Sequence, residues 1–419
     1  MRRSTPLACS AATLALALLS TSGAWAQPAP YKIAFIDPLS GPFAAVGELM
    51  LLHTRFAIED LNARNALPGG RKFELIQLDS KLSAQESQSA LQSAIDQGAK
   101  AVVTGGSGSS VVAAIVQSAA RWNQRNPGRE IIVFNHSSID PELTGKACSF
   151  WHFQTEANTA MKMKALANFA KKQADIRKVY LLNQDYAHGK QWASYGRQLV
   201  GLARPDVQFV GEQLHAIGRV KDFAPYAAQI KQSGADTVIS GNWGPDMMLL
   251  LKAAGDAGMS LRIFNHSAGS MPGTVLAASQ AKSEQLTWVA EWHPGQEGTP
   301  KVDALAKAYK AKTGKDFLAP RIDLTPRLLA AAIQKAGSDE SVKVARALED
   351  LTLDTSVGPV RMRADDHQLL LPQVVNTIAP VDGKAVKVGW DGVNWGFRTE
   401  AMYSGNELAQ GSECKMVRP

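Results

Sequence analysis

The tetrapeptide Phe-Asn-His-Ser occurs twice in this chain, at 134–137 and at 264–267. Each copy follows a short apolar run. Each is also preceded, one predicted helix earlier, by Gly-Ala, a second apolar run and a closing Gly, at 98–105 and at 234–241. Repetition of this order predicts two α/β lobes that are built alike, with the ends of their strands facing each other.

Predicted strands and helices alternate along most of the 419 residues. This alternation is typical of βαβ units, which place parallel strands in one central sheet. In such sheets, ligands bind beyond the carboxyl ends of the strands. We therefore expect an α/β fold of two lobes with parallel central sheets and a ligand cleft between them. Crossings between the lobes are expected near Gln154, Glu291 and Leu371, and a late helix is expected at 325–336.

The N-terminus has the pattern of a secretory signal peptide. Arg2 and Arg3 precede an apolar stretch at 7–19, and Ala-Trp-Ala at 24–26 offers a cleavage site after Ala26. The expected compartment is a bacterial periplasm, and the mature protein is expected to be soluble because no later stretch of about 18 apolar residues occurs. Removing the two arginines lowers the net charge from +7 to about +5. Without a dense basic run, nucleic acid is not an expected partner.

The cysteines fit the same compartment. Cys9 belongs to the leader, which leaves Cys148 and Cys414. Two cysteines in an oxidising compartment predict one disulfide, which would tie the C-terminal tail to the first lobe. Two free, buried thiols are the alternative.

Motifs of catalysis and of cofactor binding are mostly missing. The run Gly-Gly-Ser-Gly-Ser at 105–109 is not a G-x-S-x-G nucleophile elbow, because its fifth residue is Ser. It also lacks the third glycine of a dinucleotide loop, and no GxxxxGK phosphate loop occurs. The eight histidines form no i,i+4 pair and no HExxH motif. We expect no catalytic residue, no cofactor and no metal.

The loops after the predicted strands instead supply groups suited to binding. Backbone N–H groups at a helix N-terminus bind carboxylates, and the loop at 107–110 adds the hydroxyls of three serines. Helix capping alone is the other explanation of these serines. Aromatic and imidazole side chains in the paired loops suit a small ligand with one flat or apolar part. These side chains are His136, Tyr186, Trp243 and His266.

Four segments carry a resemblance to a known family: LSGPF at 39–43 through Gly47, AIEDLN at 57–62, DPELT at 140–144 and GPV at 358–360. With them the chain resembles, from about Tyr31 to Ala379, the branched-chain amino-acid-binding family of periplasmic receptors for ABC transporters. The resemblance implies two Rossmann-like lobes joined by three crossings, ligand trapped by hinge closure, and membrane permease subunits as partners. By position, it also implies carboxylate contacts from the loop at 107–110 and from Ser137, Ser138 and Ile139, with Tyr186 and Trp243 as further ligand contacts.

One departure from the family bears on the ligand. The acidic residue that holds the α-ammonium group in the amino-acid binders should fall near Ser267, within His266-Ser267-Ala268, where no Asp or Glu occurs. A buried ammonium without a counter-charge is costly. The expected ligand is therefore a small aromatic or aliphatic carboxylate, an amide or a urea-like solute, and not a standard α-amino acid.

Together these observations predict a monomeric periplasmic solute receptor of an ABC importer. Binding of a branched-chain or other amino acid, sensing of an amide for a regulator, and a secreted serine hydrolase are the alternatives. The expected division is a signal peptide at 1–26, lobe 1 at 27–153 and 291–370, lobe 2 at 154–290 and 371–400, and a tail at 401–419. The expected ligand-binding residues are Ser107, Gly108, Ser109, His136, Ser137, Ser138, Ile139, Tyr186, Trp243, His266 and Ser267.

Overall fold

Two central sheets organise the protein in a computed structural model that describes Met1 and residues 28–419. The predicted cleavage site after Ala26 and the apolar stretch before it lie outside the described residues. The first sheet has five parallel strands in the order β2-β1-β3-β4-β5. Their bounds are β1 (Tyr31–Asp37), β2 (Phe73–Asp79), β3 (Ala101–Thr104), β4 (Ile132–Asn135) and β5 (His152–Gln154).

The first sheet is covered on both faces, which explains its almost continuous apolar strands. Along β1, Ile33 and Phe35 join the core beneath α1 (Ala44–Ala63), while Ala34 and Ile36 join the core beneath the next two helices. This alternation is the period of two that a β-strand imposes on its side chains. The two helices on the second face are α2 (Ala84–Asp96) and α3 (Ser109–Arg125).

The second sheet has seven strands in the order β15-β14-β10-β9-β8-β6-β7, with β14 and β15 antiparallel to their neighbours. Its strands are β6 (Lys178–Gln184), β7 (Gln208–His215), β8 (Thr237–Ile239), β9 (Arg262–Asn265), β10 (Leu286–Ala290), β14 (Gln373–Pro380) and β15 (Trp395–Tyr403). Its helices are α4 (Thr159–Ala170), α5 (Ala187–Tyr195) with a π-helical continuation (Gly196–Val200), α6 (Gly201–Ala203), α7 (Ala224–Ser233), α8 (Pro245–Asp256) and α9 (Thr274–Gln280).

The two sheets repeat one topology. The order β7-β6-β8-β9-β10 in the second sheet matches β2-β1-β3-β4-β5 in the first, strand for strand along the chain. Both copies of the tetrapeptide begin in the fourth of these strands, so that β4 ends at Asn135 and β9 ends at Asn265. The predicted α/β fold of two lobes with parallel central sheets is confirmed.

The chain passes between the sheets at residues 155–158, 291–299 and 371–372. After the second passage it returns to the first lobe, where α11 (Pro320–Ala336) packs against α1 and α12 (Ser341–Leu348) packs against α11. A small antiparallel sheet follows and touches β5 through a bridge between Gln154 and Gln368. These elements are α10 (Pro300–Thr313), α11 (Pro320–Ala336), α12 (Ser341–Leu348), β11 (Thr352–Thr355), β12 (Gly358–Met362) and β13 (Leu369–Leu370).

Helix α11 begins five residues before the position predicted from the sequence. Pro320 occupies its first turn, where a missing N–H costs nothing, and Asp323 adds the acidic side chain that the positive end of a helix favours. The early start brings Arg321 into the helix. Among the described residues, none of the helices combines the length and the apolar character needed to cross a membrane.

The C-terminal tail leaves the second lobe and ends on the first. Strand β15 runs to Tyr403, three residues past the expected boundary at 400, because its pairing with β14 continues to Tyr403 opposite Gln373. The short helix α13 (Gly405–Leu408) then contacts both β13 and α4. Beyond it, Cys414 forms a disulfide with Cys148 of the first lobe, with 5.6 Å between the Cα atoms. The predicted disulfide is confirmed, and the alternative of two free thiols is wrong.

Candidate ligand-binding cleft

A cavity lies between the lobes, beyond the carboxyl ends of the central strands. The space between its walls is about 380 Å³. This volume suits a small ligand. Its walls are formed by Met50, Gly105, Gly106, Gly108, Ser109, Ser137, Ser138, Ile139, Glu156, Tyr186, His188, Trp243, His266, Ser267, Met271 and Arg321.

The first lobe brings the N-terminus of α3 to the cavity. Gly108 precedes the helix with φ +84°, and it offers no side chain to cap the first N–H groups, which have no partner within a helix. A Cβ at Gly108 would lie 3.2 Å from the Tyr186 ring of the other lobe, so glycine also permits the lobes to approach. Ser138 Oγ donates to Ser109 Oγ at 3.0 Å, which leaves the Ser109 hydroxyl hydrogen free to donate to a ligand. This end of the cavity is built to hold an anion.

Arg321 extends the same wall from the first turn of α11. Its Nε lies 2.8 Å from Glu156 Oε2 and 2.8 Å from the backbone oxygen of His136, and its Nη1 lies 3.3 Å from both oxygens of Glu291. Its Nη2 is 3.4 Å from Ser137 Oγ. The Arg321 side chain is 98% buried. Its contacts hold the guanidinium in one place beside Ser137.

Glu156 connects the two lobes through a chain of charges. One carboxylate oxygen contacts Arg321 of the first lobe, and the other accepts a very short hydrogen bond from Lys162 on α4. Lys162 also donates to the backbone oxygens of His266 at 2.9 Å and Val289 at 3.3 Å. Burial raises the pKa of Glu156, against the opposing charges of the arginine and the lysine. Both oxygens of this carboxylate are thus occupied by cations of the protein.

The second lobe contributes a wall of aromatic and neutral polar groups. Trp243 Nε1 donates to Tyr186 Oη at 2.8 Å, and burial raises the pKa of that tyrosine far above its usual value. The Trp243 ring packs on Phe43 of the first lobe with 4.4 Å between centroids. A further contact between the lobes is the hydrogen bond from Gln191 Nε2 to Asp140 Oδ1, at 2.6 Å. The lobes are therefore in direct contact around the cavity.

Two histidines stand side by side in this wall. The rings of His188 and His266 lie 4.4 Å apart in an edge-to-face arrangement. Burial lowers the pKa of His188 to about 4, and burial together with His188, Lys162 and Arg321 lowers the pKa of His266 well below its usual value. Both imidazoles are consequently neutral at pH 7.

Two of the residues proposed for binding from the sequence lie behind the cavity wall. Ser107 Oγ is 2.6 Å from Ser80 Oγ and 3.4 Å from Asp37 Oδ1. The side chain of His136 is fully buried, with Nδ1 2.8 Å from Ser137 Oγ and Nε2 3.1 Å from Asp37 Oδ2. The second distance is that of an ion pair, although Nε2 and Oδ2 lack hydrogen-bond geometry. Both residues shape the loops that reach the cavity without lining it.

The structure places the other nine of the proposed residues in the cavity wall and adds seven more. Glu156 and Arg321 come from a crossing and from a late helix, and neither carries a sequence motif. His188 had a usable signal in the sequence, because it follows Tyr186 by two residues and lies in the first turn of the helix that this strand-end loop opens. The added residues are Met50, Gly105, Gly106, Glu156, His188, Met271 and Arg321. Within residues 28–419, no group of three or more His, Cys, Asp or Glu side chains is arranged to hold a metal ion.

Fold and cleft define a two-lobed solute-binding protein, in which both lobes contribute walls to one site. The family model for periplasmic binding proteins matches residues 30–378. The chain belongs to this family, and the predictions of the family and of a solute-binding function are confirmed.

The chain is similar to known proteins over 90% or more of its length. The "Leu/Ile/Val-binding protein homolog 4" of Brucella abortus (strain 2308) is 30% identical over 418 residues, covering 97% of each chain. The crystal structure of the "Leucine-, isoleucine-, valine-, threonine-, and alanine-binding protein" from Brucella ovis, in a closed conformation, is 28% identical with a TM-score of 0.82, covering 93% of this chain and 100% of that one. A solute-binding protein of an ABC transporter from Rhodopseudomonas palustris BisB5, in complex with 3,4-dihydroxybenzoic acid, shares the fold at 15% identity and a TM-score of 0.75, covering 90% and 98%.

Proposed function

We propose that this protein is a periplasmic receptor that captures a small carboxylate between its lobes and delivers it to the permease subunits of an ABC importer. The observation that carries the proposal is the asymmetry of the cleft. One wall offers the α3 N-terminus, Ser109 and Ser138 to an anion. The opposite wall offers Tyr186, Trp243 and neutral imidazoles to an uncharged or aromatic remainder.

The mechanism follows from the division of the site. A ligand that contacts both walls gains its full interactions only when the lobes are together, and it therefore shifts the population towards the closed state. The contacts between Phe43 and Trp243 and between Asp140 and Gln191 join the lobes in that state. A permease that recognises both lobes at once can then distinguish loaded from empty receptor.

An amino acid is the second candidate, because the Brucella abortus relative carries a Leu/Ile/Val-binding name. Glu156 is the sole carboxylate in the wall of the described cavity. Since Lys162 and Arg321 each contact one of its oxygens, its charge is already balanced within the protein, and an α-ammonium group would find no free counter-charge there. The charge arrangement therefore favours a ligand without an ammonium group.

Hydrolysis receives less support, although the structure contains an acid–histidine pair that the sequence did not reveal. Asp37 and His136 form this pair, and the histidine contacts Ser137 of the cavity wall. However, His136 Nε2 and the Asp37 carboxylate oxygen lack hydrogen-bond geometry. The hydroxyl of Ser107 contacts Asp37 and not the imidazole of His136. We expect no turnover of generic esters, and turnover that is lost in Ser137→Ala would revive the hydrolase hypothesis.

A thermal-shift screen with aliphatic and aromatic carboxylates, amides and amino acids tests the proposal. Ligands that bind the folded protein raise its melting temperature, and a carboxylate should do so. Ser109→Ala should weaken binding of that carboxylate about tenfold or more, because it removes a hydrogen bond to a charged group. Ser89→Ala on the exposed face of α2 is the matched control and should leave affinity unchanged. Absence of any shift across the panel would contradict the proposed function.

Delivery and localisation need separate measurements. A strain that lacks this protein should lose uptake of the ligand found in the screen, whereas intact uptake with a lost transcriptional response would favour the sensor. N-terminal sequencing of the secreted protein should begin at Gln27 if the leader is cleaved after Ala26.

A further inference from the structure

The hydrogen bond of His188 fixes which ring nitrogen carries the proton. Its Nε2 lies 3.2 Å from the backbone oxygen of Gly241. A carbonyl oxygen only accepts hydrogen bonds, so Nε2 is the donor. In a neutral imidazole the other nitrogen, Nδ1, then carries a lone pair and acts as an acceptor. A Cβ at Gly241 would lie 2.9 Å from Nε2, so this close approach depends on glycine.

Three polar atoms in the wall that the second lobe contributes to the cavity need a hydrogen-bond partner from outside the protein. His188 Nδ1, His266 Nδ1 and Ser267 Oγ are buried and find no hydrogen-bond partner among residues 28–419. All three residues line the cavity. Buried polar atoms are rarely left unpaired, because each loses its hydrogen bonds to water on burial. A ligand in the cavity is the natural source of the missing partners.

The charges around these atoms are already balanced. Lys162 donates to the backbone oxygen of His266, and Arg321 lines the same cavity. The carboxylates of Glu156 and Glu291 balance these two cations. An ammonium group placed at the histidines would be desolvated with no free counter-charge, whereas a hydroxyl or amide N–H would be satisfied by a neutral acceptor.

We propose that the ligand carries an uncharged hydrogen-bond donor, a hydroxyl or an amide N–H, in addition to its carboxylate, and that His188 Nδ1 accepts this hydrogen. His188 is thereby a ligand-binding and specificity-determining residue. Ser267 and His266 complete the polar patch beside it. This inference rests on the proposed function, since it assigns the substrate class of the same cleft as hydroxy acids or carboxamide acids.

Three matched series of ligands test the inference. Each series keeps one carbon skeleton and changes one group: 2-hydroxy-4-methylpentanoate, 4-methylpentanoate and leucine; phenyllactate, 3-phenylpropionate and phenylalanine; 4-(hydroxymethyl)benzoate, 4-methylbenzoate and 4-(aminomethyl)benzoate. Glutaramate and glutarate form an amide pair. Isothermal titration of the full mature chain should show at least one hydroxy acid or carboxamide acid that binds about tenfold or more tightly than its unsubstituted partner.

Two substitutions then separate the nitrogens of His188. His188→Gln keeps an N–H for Gly241 but removes the acceptor at Nδ1, so the preference for the hydroxy or amide ligand should vanish. His188→Asn places a carbonyl oxygen close to where Nδ1 lies, so part of the preference should return. His293→Gln is the matched control, because His293 is equally buried but lies outside the cavity wall. Its preference should equal that of the wild type.

The outcomes distinguish this inference from the proposed function. Equal binding of substituted and unsubstituted acids, or tighter binding of the amino acids, overturns the donor inference and leaves the receptor intact. A preference that persists in His188→Gln assigns the donor to another acceptor and also overturns it. Absence of binding by every compound overturns the proposed function itself. If the glutamine variant does not fold, the wild-type series alone decides.

Discussion

Removal of the Cys148–Cys414 disulfide should cost this protein a large part of its stability. The bond joins residues 266 positions apart, and it fastens the tail that leaves the second lobe to the first lobe. Without it, the tail is held by contacts such as Arg363 Nη1 to the backbone oxygen of Gln410 at 2.7 Å and the pair of Arg418 with Glu349 at 2.6 Å. These contacts join residues 47 and 69 positions apart, whereas the disulfide closes a loop of 266 residues, nearly two thirds of the chain.

The size of the effect follows from the length of the closed loop. Loop-closure entropy for 266 residues corresponds to about 5.5 kcal/mol at 25 °C. With an unfolding entropy of about 2.1 cal/mol/K per residue over residues 28–419, this loss lowers Tm by about 7 °C. Measured losses for native disulfides are usually about 2–5 kcal/mol, so a decrease of roughly 2–6 °C is expected.

The assay is thermal unfolding of the wild type and of Cys148→Ser/Cys414→Ser, each with and without dithiothreitol. The reductant should lower the Tm of the wild type to that of the double variant and leave the double variant unchanged. Lys146→Ala is the control, because it removes only the exposed ion pair with Glu413 at the same contact and should change stability by less than about 1 kcal/mol. A double variant that melts within 1 °C of the oxidised wild type would refute the loop-entropy reasoning.

Three further results are expected. Arg321→Met removes the cation that contacts buried Glu291 and one of the two that contact buried Glu156, and it should lower the unfolding free energy by about 3–5 kcal/mol in urea, while Arg197→Met at an exposed pair should cost less than about 1 kcal/mol; equal effects would contradict the role of the buried network. Burial lowers the pKa of His53 and of His152 to about 3 and that of His188 to about 4, against 6.5 when exposed, so these histidines take up protons only on unfolding. Stability should be full above pH 6.5 and should fall by about 2 kcal/mol per histidine down to pH 5, and a flat urea midpoint over that range would be inconsistent with neutral burial. The hydroxy-acid preference should weaken as the pH approaches 4, because a proton on His188 Nδ1 removes the acceptor in a site that already faces Lys162 and His266; a preference that becomes stronger between pH 7 and pH 5 would argue against that acceptor.

The fold was predictable because its signals are local and repeated. Strand-end asparagines mark the two copies of one topology, and their side chains explain why the tetrapeptide recurs. Asn135 Oδ1 accepts from the backbone N–H groups of Ser137 and Ser138, and Asn265 Oδ1 accepts from Ser267 N–H. In each lobe the asparagine shapes the loop that enters the cavity.

The charged residues of the cleft could not be predicted in the same way. Glu156 and Arg321 are 165 positions apart, and each is expected at the surface unless its partner is known. Only the tertiary fold brings them within 2.8 Å. The late predicted start of α11 also placed Arg321 in a loop, so that neither its direction nor its neighbours followed from the sequence.

The sequence pattern does not show which of the loop serines and histidines line the cavity and which are buried behind it. Ser109 and Ser137 line the cavity. The hydroxyl of Ser107 instead contacts Ser80 behind the cavity wall. Successive residues of a loop point in different directions. An error of one residue in the predicted position of the loop therefore changes which serine is expected to face the cavity. A cluster of serines therefore predicts the place of an anion site better than it predicts which hydroxyl serves it.

The two histidines of the repeat differ because their neighbours in the first repeated strand differ. In the first lobe, Asp37 ends β1, accepts from the Gly105 N–H at 3.0 Å and lies beside the imidazole of His136. In the second lobe, the equivalent position on β6 is Asn183, which accepts from the Gly241 N–H at 2.6 Å but offers no charge to a histidine. His266 therefore has no carboxylate to hold it in the interior and lines the cavity instead. A single difference between acid and amide at equivalent positions thus converts a duplicated packing residue into a candidate ligand contact, which accounts for both the symmetry of the fold and the asymmetry of the site.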